Sequence, residues 1–223
     1  MKKIALILVL MVGISSFSFA EDDKNHSAGD ISVEVNFVPL SATPIQLNFL
    51  KGRFFLSDNM AVRLGFMFDI STISDTQHDP DDINNIEKET DRITDFGLTP
   101  GIEIHFPLGN RVSPYVGAEL GFSTRSTKYE YSTNFNNDNI TQTGIGGFTQ
   151  FGLNMLVGTD VAIYKGLYLG AEFGFGFSTT SFPDVVTTAT TGGVTVTETI
   201  VDNSSVFSLG TVVNPAIRLG WTF

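Results

Sequence analysis

From Phe207 to Phe223, large apolar residues fall at alternate positions: Phe207, Leu209, Val213, Ile217, Leu219, Trp221 and Phe223, with Thr211 and Pro215 in the same phase. Between them stand Ser208, Gly210, Val212, Asn214, Ala216, Arg218, Gly220 and Thr222. Successive side chains of a strand point to opposite faces, so this is a strand with one apolar side and one small or polar side. The pattern recurs over Met60–Ile70, where Val62, Leu64, Phe66 and Phe68 oppose Ala61, Arg63, Gly65 and Asp69. It recurs again over Leu167–Ser178, where Leu169, Phe173, Phe175 and Phe177 oppose Tyr168, Gly170, Glu172, Gly174 and Gly176.

Collecting such segments predicts eight strands, at 31–39, 44–56, 60–72, 93–106, 112–125, 146–164, 166–180 and 204–223. Most reach or exceed the roughly nine to eleven residues that a tilted strand needs to cross a bilayer. A strand in a water-soluble protein is nearer five or six. The connections alternate as well. Ser57–Asn59, Pro107–Arg111 and Lys165 are tight, whereas Ile73–Arg92, Ser126–Ile145 and Ser181–Asn203 are long and polar. Short turns at one end and longer loops at the other are the habit of outer-membrane barrels. The reading is therefore all-β: an eight-stranded antiparallel up-and-down transmembrane β-barrel with three long outer loops. Leu40–Thr43 is its short first outer loop, and both termini are periplasmic. Within Ser181–Asn203, Gly192-Gly193 stands between Val/Thr runs and signals a hairpin that prolongs the last pair of strands. Asp75–Arg92, acidic and carrying Pro80, reads as a mobile solvated loop.

Composition agrees with an exported chain. Lys2 and Lys3 precede the apolar run Ile4–Ile14, and Ser18 and Ala20 occupy the small positions of a cleavage site. That run is too short to span a bilayer as a helix. The expected organisation is a signal peptide over 1–20, a periplasmic tail over 21–30 and the barrel over 31–223. Removing Lys2 and Lys3 takes the formal net charge from −11 to −13. A nucleic-acid-binding face needs clustered bases, so nucleic acid is excluded as a partner. The chain has no cysteine, which rules out disulfides and thiolate metal sites.

The leader, the hairpin segment Gly52–Phe66 (GRFFLSDNMAVRLGF) and the terminal segment Ile217–Phe223 (IRLGWTF) resemble the small outer-membrane β-barrel proteins of the OmpA/OmpX type, including the porin-like members of that family. The resemblance implies outer-membrane lipids and the barrel-assembly machinery as partners. It also implies that Leu219, Trp221 and Phe223 form the signal that this machinery reads. A soluble lipocalin-like barrel would invert the arrangement and crowd its polar faces with charge. Here those faces are rich in Gly, Ser, Asn and Thr, among them Gly65, Gly97, Gly101, Gly121 and Gly152.

Eight strands enclose a space just wide enough for side chains to fill. The inward charges are Glu34, Arg63, Asp69, Glu103, Glu119, Asp160, Glu172 and Arg218, and unpaired burial of any of them costs several kcal/mol. Arg63 and Glu103 fall at similar depth, as do Glu172 and Arg218. The alternation slips near Leu50, so pattern alone does not orient Lys51 and Arg53. The excess of acids leaves two readings open: a lumen-filling ion-pair network, or a narrow cation-favouring diffusion channel. His26, in an unstructured tail, His78 and His105 have no nucleophile at recognisable spacing, so no enzyme and no cofactor are expected. Asp79, Asp81 and Asp82 offer carboxylates to a divalent cation, but the segment lacks the sixth-position Gly and twelfth-position Glu of a calcium loop. The expectation is a monomeric, non-enzymatic barrel with a structural or surface-interaction, adhesion-like role through extended extracellular loops, meeting an extracellular protein or surface ligand.

Overall fold

The computed structural model describes residues 26–37, 45–78, 86–135, 138–200, 204–213 and 217–223. The leader and residues 21–25 of the tail read from the sequence, the first outer loop, and Asp79, Asp81 and Asp82 lie outside them. The described chain is all β and antiparallel. Its strands are β1 (Ile31–Phe37), β2 (Ile45–Ser57), β3 (Met60–His78), β4 (Ile86–His105), β5 (Val112–Phe135) and β6 (Asp138–Tyr164). They continue with β7 (Leu167–Ser181), β8 (Val185–Thr191), β9 (Val194–Ile200), β10 (Ser205–Val213) and β11 (Ile217–Thr222).

Strands β1 to β7 pair in sequence order, and β11 pairs with both β7 and β1, which closes a ring of eight. The closing seam sets Glu34 opposite Gly220 and Asn36 opposite Arg218. The terminal strand of the sequence reading is two segments. The register of β10 on β7 (Val213↔Phe173) differs by two from that of β11 (Arg218↔Gly170), with residues 214–216 between. The slip near Leu50 is a register shift between β1 and β2, from Val35↔Leu50 to Asn36↔Gln46, with the extra residues on β2.

Several strands run well past their predicted ends. Ile73–His78 pairs with Ile86–Asp91, so much of the stretch expected as a mobile acidic loop is regular sheet. Ile73, Thr76, Ile86 and Thr90 in these segments favour the pleat. Their acids fall in one phase (Asp75, Glu87, Glu89, Asp91), where one solvated face accommodates them all. Ser126–Ile145, where Lys128–Tyr131 and Ile140–Thr143 about an Asn-rich tip give a weaker hairpin pattern than Gly192-Gly193, is also a hairpin, with β5 and β6 paired as far as Phe135↔Asp138.

The Val/Thr hairpin forms as expected, with Gly192 and Gly193 both at positive φ (55° and 81°) at its tip, as a two-residue I′ turn requires. Its place differs from the expectation. β7 covers β6 only as far as Thr149↔Ser181, which leaves the outer part of β6 with a free edge. β8 takes that edge from Ile145↔Val186 to Ile140↔Thr191. The result is a wall, β3-β4-β5-β6-β8-β9, standing beyond the ring on one side.

Outside and inside are inverted relative to a soluble core. Val62, Leu64, Phe66, Phe68, Ile102, Ile104, Val157, Phe173 and Phe175 are exposed, while Glu34, Lys51, Arg53, Arg63, Glu103, Asp160 and Arg218 are buried. A row of outward phenylalanines crosses four strands: Phe66–Phe96, Phe96–Phe122 and Phe122–Phe151, with ring centroids 5.9, 6.2 and 5.1 Å apart.

The two-residue link between β6 and β7 is Lys165-Gly166, with φ of 40° and 83°. A Cβ on Gly166 would meet the Thr222 carbonyl oxygen across the sheet. Gly166→Val is therefore expected to destabilise the ring by about 1–3 kcal/mol, through the left-handed backbone and that clash. The shift of the urea midpoint measures it.

Candidate functional site

The interior next to the short turns is filled by charge. Arg53 is central, with Nη2 at 2.6 Å from Glu34 Oε1, Nε at 3.1 Å from Glu103 Oε2, and Nη1 bonded to Asp160 Oδ2. The contacts to Glu34 and Glu103 are charge contacts rather than well-aligned hydrogen bonds, since Arg53 Nη2 and Nε find no partner by angle. Arg63 donates to Glu103 and Glu172 and lies 3.1 Å from Glu119 Oε2. Arg218 reaches Glu34 Oε2 at 3.0 Å and Asp160 Oδ1 at 2.9 Å, and Lys51 Nζ reaches Glu172 Oε1 at 3.2 Å. Five carboxylates thus meet four bases, a surplus of one negative charge among the described residues.

Two tyrosines complete the cluster. Tyr168 Oη donates to Glu34 Oε1 at 2.7 Å, and Tyr115 Oη donates to Glu172 Oε2. The Arg53 and Arg218 guanidiniums lie 5.2 and 5.3 Å from the Tyr115 ring centroid, within cation–π reach. Glycine makes room for these groups. Arg218 and Asp160 flank Gly170 on neighbouring strands, and a Cβ there would sit 2.5 Å from Arg218 Nη2 and 2.6 Å from Asp160 Oδ1.

Of the inward charges read from the sequence, Glu34, Arg63, Glu103, Glu119, Asp160, Glu172 and Arg218 come together here. Arg63 and Glu103 bond directly, and Arg218 Nη1 lies 3.8 Å from Glu172 Oε2. Asp69 does not join them. It is exposed on the outer stretch of β3, opposite Asp95, because β3 has already left the filled half of the ring. Lys51 and Arg53 both point inward. Counting back from the tight turn shows why: Phe55 pairs with Ala61, which shares its phase with Arg63. Leu219, Trp221 and Phe223 are half-buried at the turn end of β11, and the Phe223 amide donates to Ile31 O at 2.8 Å.

The described end of the tail, residues 26–30, forms a turn, contrary to the sequence expectation for His26. The Asp30 carboxylate accepts from the Ser27 amide at 2.7 Å, and Gly29 N donates to Phe55 O at 2.8 Å. This turn tucks His26 into the ring, stacked on Phe55 at 4.0 Å and edge-on to His105 at 5.3 Å. His105 itself bridges Ser113 Oγ at 2.9 Å and Glu103 Oε2 at 3.2 Å. The aromatic Phe55, two residues from Arg53 on the inward face, is the feature that draws an imidazole in.

His26, His105 and Asp160 bring ligand-type atoms within 4.8 Å of one another. Both Asp160 oxygens are already held by Arg53 and Arg218, and two guanidiniums at that distance repel a cation. The arrangement therefore does not suit a metal.

Above the cluster the ring holds a cup of about 410 Å³ lined by Thr99, Ser123, Gln150, Asn154, Ser178 and Ser208, among others. Asn154 donates to Glu119 Oε1 at 3.4 Å and so joins the cup to the charges beneath it.

No protein-family model matches the chain, and no curated protein matches it. Among solved structures, the solid-state NMR structure of outer membrane protein AlkL in DMPC lipid bilayers is similar over 93% of this chain and 96% of that one. The identity is 12% and the TM-score 0.41, too distant to carry an argument.

Removing one member of a buried charge set strands the others, at a cost of about 3–5 kcal/mol. Arg53→Met should therefore lower unfolding stability by about that amount. Arg125→Met, which breaks an exposed pair with Asp95 (2.7 Å), should cost under about 1 kcal/mol. Paired denaturant titrations compare them. Burial, with His105 and Arg53 adding to it, pushes the His26 pKa down from 6.5 to about 3. The docked tail holds His26 neutral while a free tail takes up a proton, so docking is at full strength above about pH 6.5 and weakens progressively towards pH 3. Hydrogen exchange at the Gly29 amide, corrected for intrinsic rates, should show this loss, and His26→Phe should remove it.

Proposed function

We propose that this chain is a non-enzymatic outer-membrane β-barrel, closed by charge on its periplasmic side, that acts through surface interactions made by its protruding wall. The membrane reading is supported by the inverted interior and by the outward belt. From Phe106 to Phe96 the belt covers about 33 Å along the strand at the usual rise. At a barrel's tilt that is about 25 Å of height, the thickness of a barrel's apolar band.

The observation that carries the functional reading is strand length. β3, β4, β5 and β6 run 19, 20, 24 and 27 residues, about twice what crossing requires. Half of each is thus held as regular sheet beyond the belt. Against that sheet lies the β8–β9 hairpin, with β9 exposed throughout and hydrogen-bonded, among the described strands, only to β8. A strand edge of this kind accepts an extended segment of another protein by β-augmentation. The diffusion-channel reading draws support from the polar cup and the surplus carboxylate, but a solute would have to pass three packed arginines.

Deleting residues 184–202 should abolish the adhesion of cells displaying the protein while its heat-dependent gel shift persists. Planar-bilayer recordings of the refolded protein should stay silent. Undiminished adhesion together with cation-selective steps that Glu119→Gln and Glu172→Gln alter would replace this reading with the channel.

A further inference from the structure

The two faces of the wall carry opposite charge. On the face continuous with the ring interior stand Asp69, Asp75, Glu87, Glu89, Asp91 and Asp95, with Arg125 the base among them. The outward face has the reverse balance. Along β3 to β6 its charges among the described residues are Lys88, Arg92, Lys128 and Glu130. Arg92 and Lys128 are directly opposed across the β4–β5 ladder, and Lys88 lies four residues beyond Arg92 on the same face. Lys128 Nζ bonds Glu130 Oε1 at 2.7 Å, and the same Lys128, then Arg92 and Lys88, holds the Glu130 carboxyl below its ordinary range. The four side chains therefore form one patch, net basic on a chain whose formal net charge is −11.

Its height is as telling as its sign. The phenylalanine row through Phe66, Phe96, Phe122 and Phe151 marks the upper rim of the apolar belt. Below the rim no outward residue of β3 to β6 is charged; above it, on β4 and β5, come Thr94 and Ser126, then Arg92 and Lys128. Arg92 follows Phe96 by about 13 Å along the strand, or about 10 Å of height. A bilayer's headgroup layer adds roughly 5–8 Å to each side of its hydrocarbon core, and long basic side chains bend towards charge. Glu130 offsets one of these charges and leaves the patch two bases in excess at that level, where a further anion relieves the like-charge repulsion between the opposed Arg92 and Lys128.

We propose that Arg92 and Lys128, assisted by Lys88, bind the phosphate of an anionic lipid headgroup in the outer leaflet, fixing the barrel's height and its rotation against that lipid. This rests on the membrane reading above. The acidic opposite face repels the same headgroup, so binding orients the wall as well as anchoring it.

The test uses the full chain and Arg92→Gln/Lys128→Gln, each refolded into phosphatidylcholine vesicles containing an equal share of phosphatidic acid. Both are then released into mild detergent and weighed by native mass spectrometry. The unmodified chain should retain phosphatidic acid over phosphatidylcholine. The double variant should lose that preference by about fivefold or more, since each base near a membrane surface contributes roughly that factor. Lys165→Gln, at the opposite end of the ring, should retain the preference. Insertion of the unmodified chain, seen as a heat-dependent gel shift, without any preference overturns this assignment alone. An equal preference in the double variant does the same, and retention of inorganic phosphate in place of lipid overturns the choice of lipid. Failure of every chain to insert overturns the membrane reading, and this assignment with it.

Discussion

Three guanidiniums, those of Arg53, Arg63 and Arg218, hold five carboxylates inside the ring, and the rest of the molecule is arranged around that fact. Each charge taken from water costs several kcal/mol unless its partners are close and well directed. The cluster meets this demand by sharing: Glu34, Glu103, Asp160 and Glu172 each touch two or more bases. The partners come from β1, β2, β3, β4, β5, β6, β7 and β11, so every ring strand contributes a member. Inward glycines such as Gly170 follow from the same demand, since the space that their side chains would fill holds guanidinium and carboxylate. The tyrosines do too, as each spends its hydroxyl on a cluster carboxylate.

With the interior committed to charge, the apolar residues are left for the outside. The belt, the phenylalanine row and the small polar residues of the cup are one solution to that division. Above the belt the division changes from apolar against polar to acid against base, in the same alternating phase and on the same strands.

Much of this was legible in the sequence. Period-two alternation located the eight ring segments, and seven of the eight residues named as inward charges meet in one cluster. Asp69 failed because its phase was right but its height was not: phase follows from alternation, whereas depth needs the register of the neighbouring strands. Lys51 and Arg53 were undecided because the pattern was followed through the irregularity near Leu50. Counting from the Asp58-Asn59 turn, where Phe55 faces Ala61, would have oriented both. Of the strands beyond the belt, the Val/Thr hairpin is legible and the β3–β4 extension is hidden by its composition, since threonine, serine and acids look alike in a loop and in a sheet with both faces wet. His26 left no local signal at all, because its place depends on Phe55 and His105, which only the closed ring brings near it.

The seam between β1 and β11 sets the order of events in assembly. Hairpins from β2 to β7 join neighbours in the chain and form quickly, but Glu34 and Arg218 are 184 residues apart and lie across the last pairing to be made. Each also has a partner on its own side of the seam, Arg53 for Glu34 and Asp160 for Arg218, and closure of the seam joins these two halves of the cluster. β1 and β11 therefore keep bare margins until the two ends of the chain meet, and it is there that the buried charges are finally shut from water.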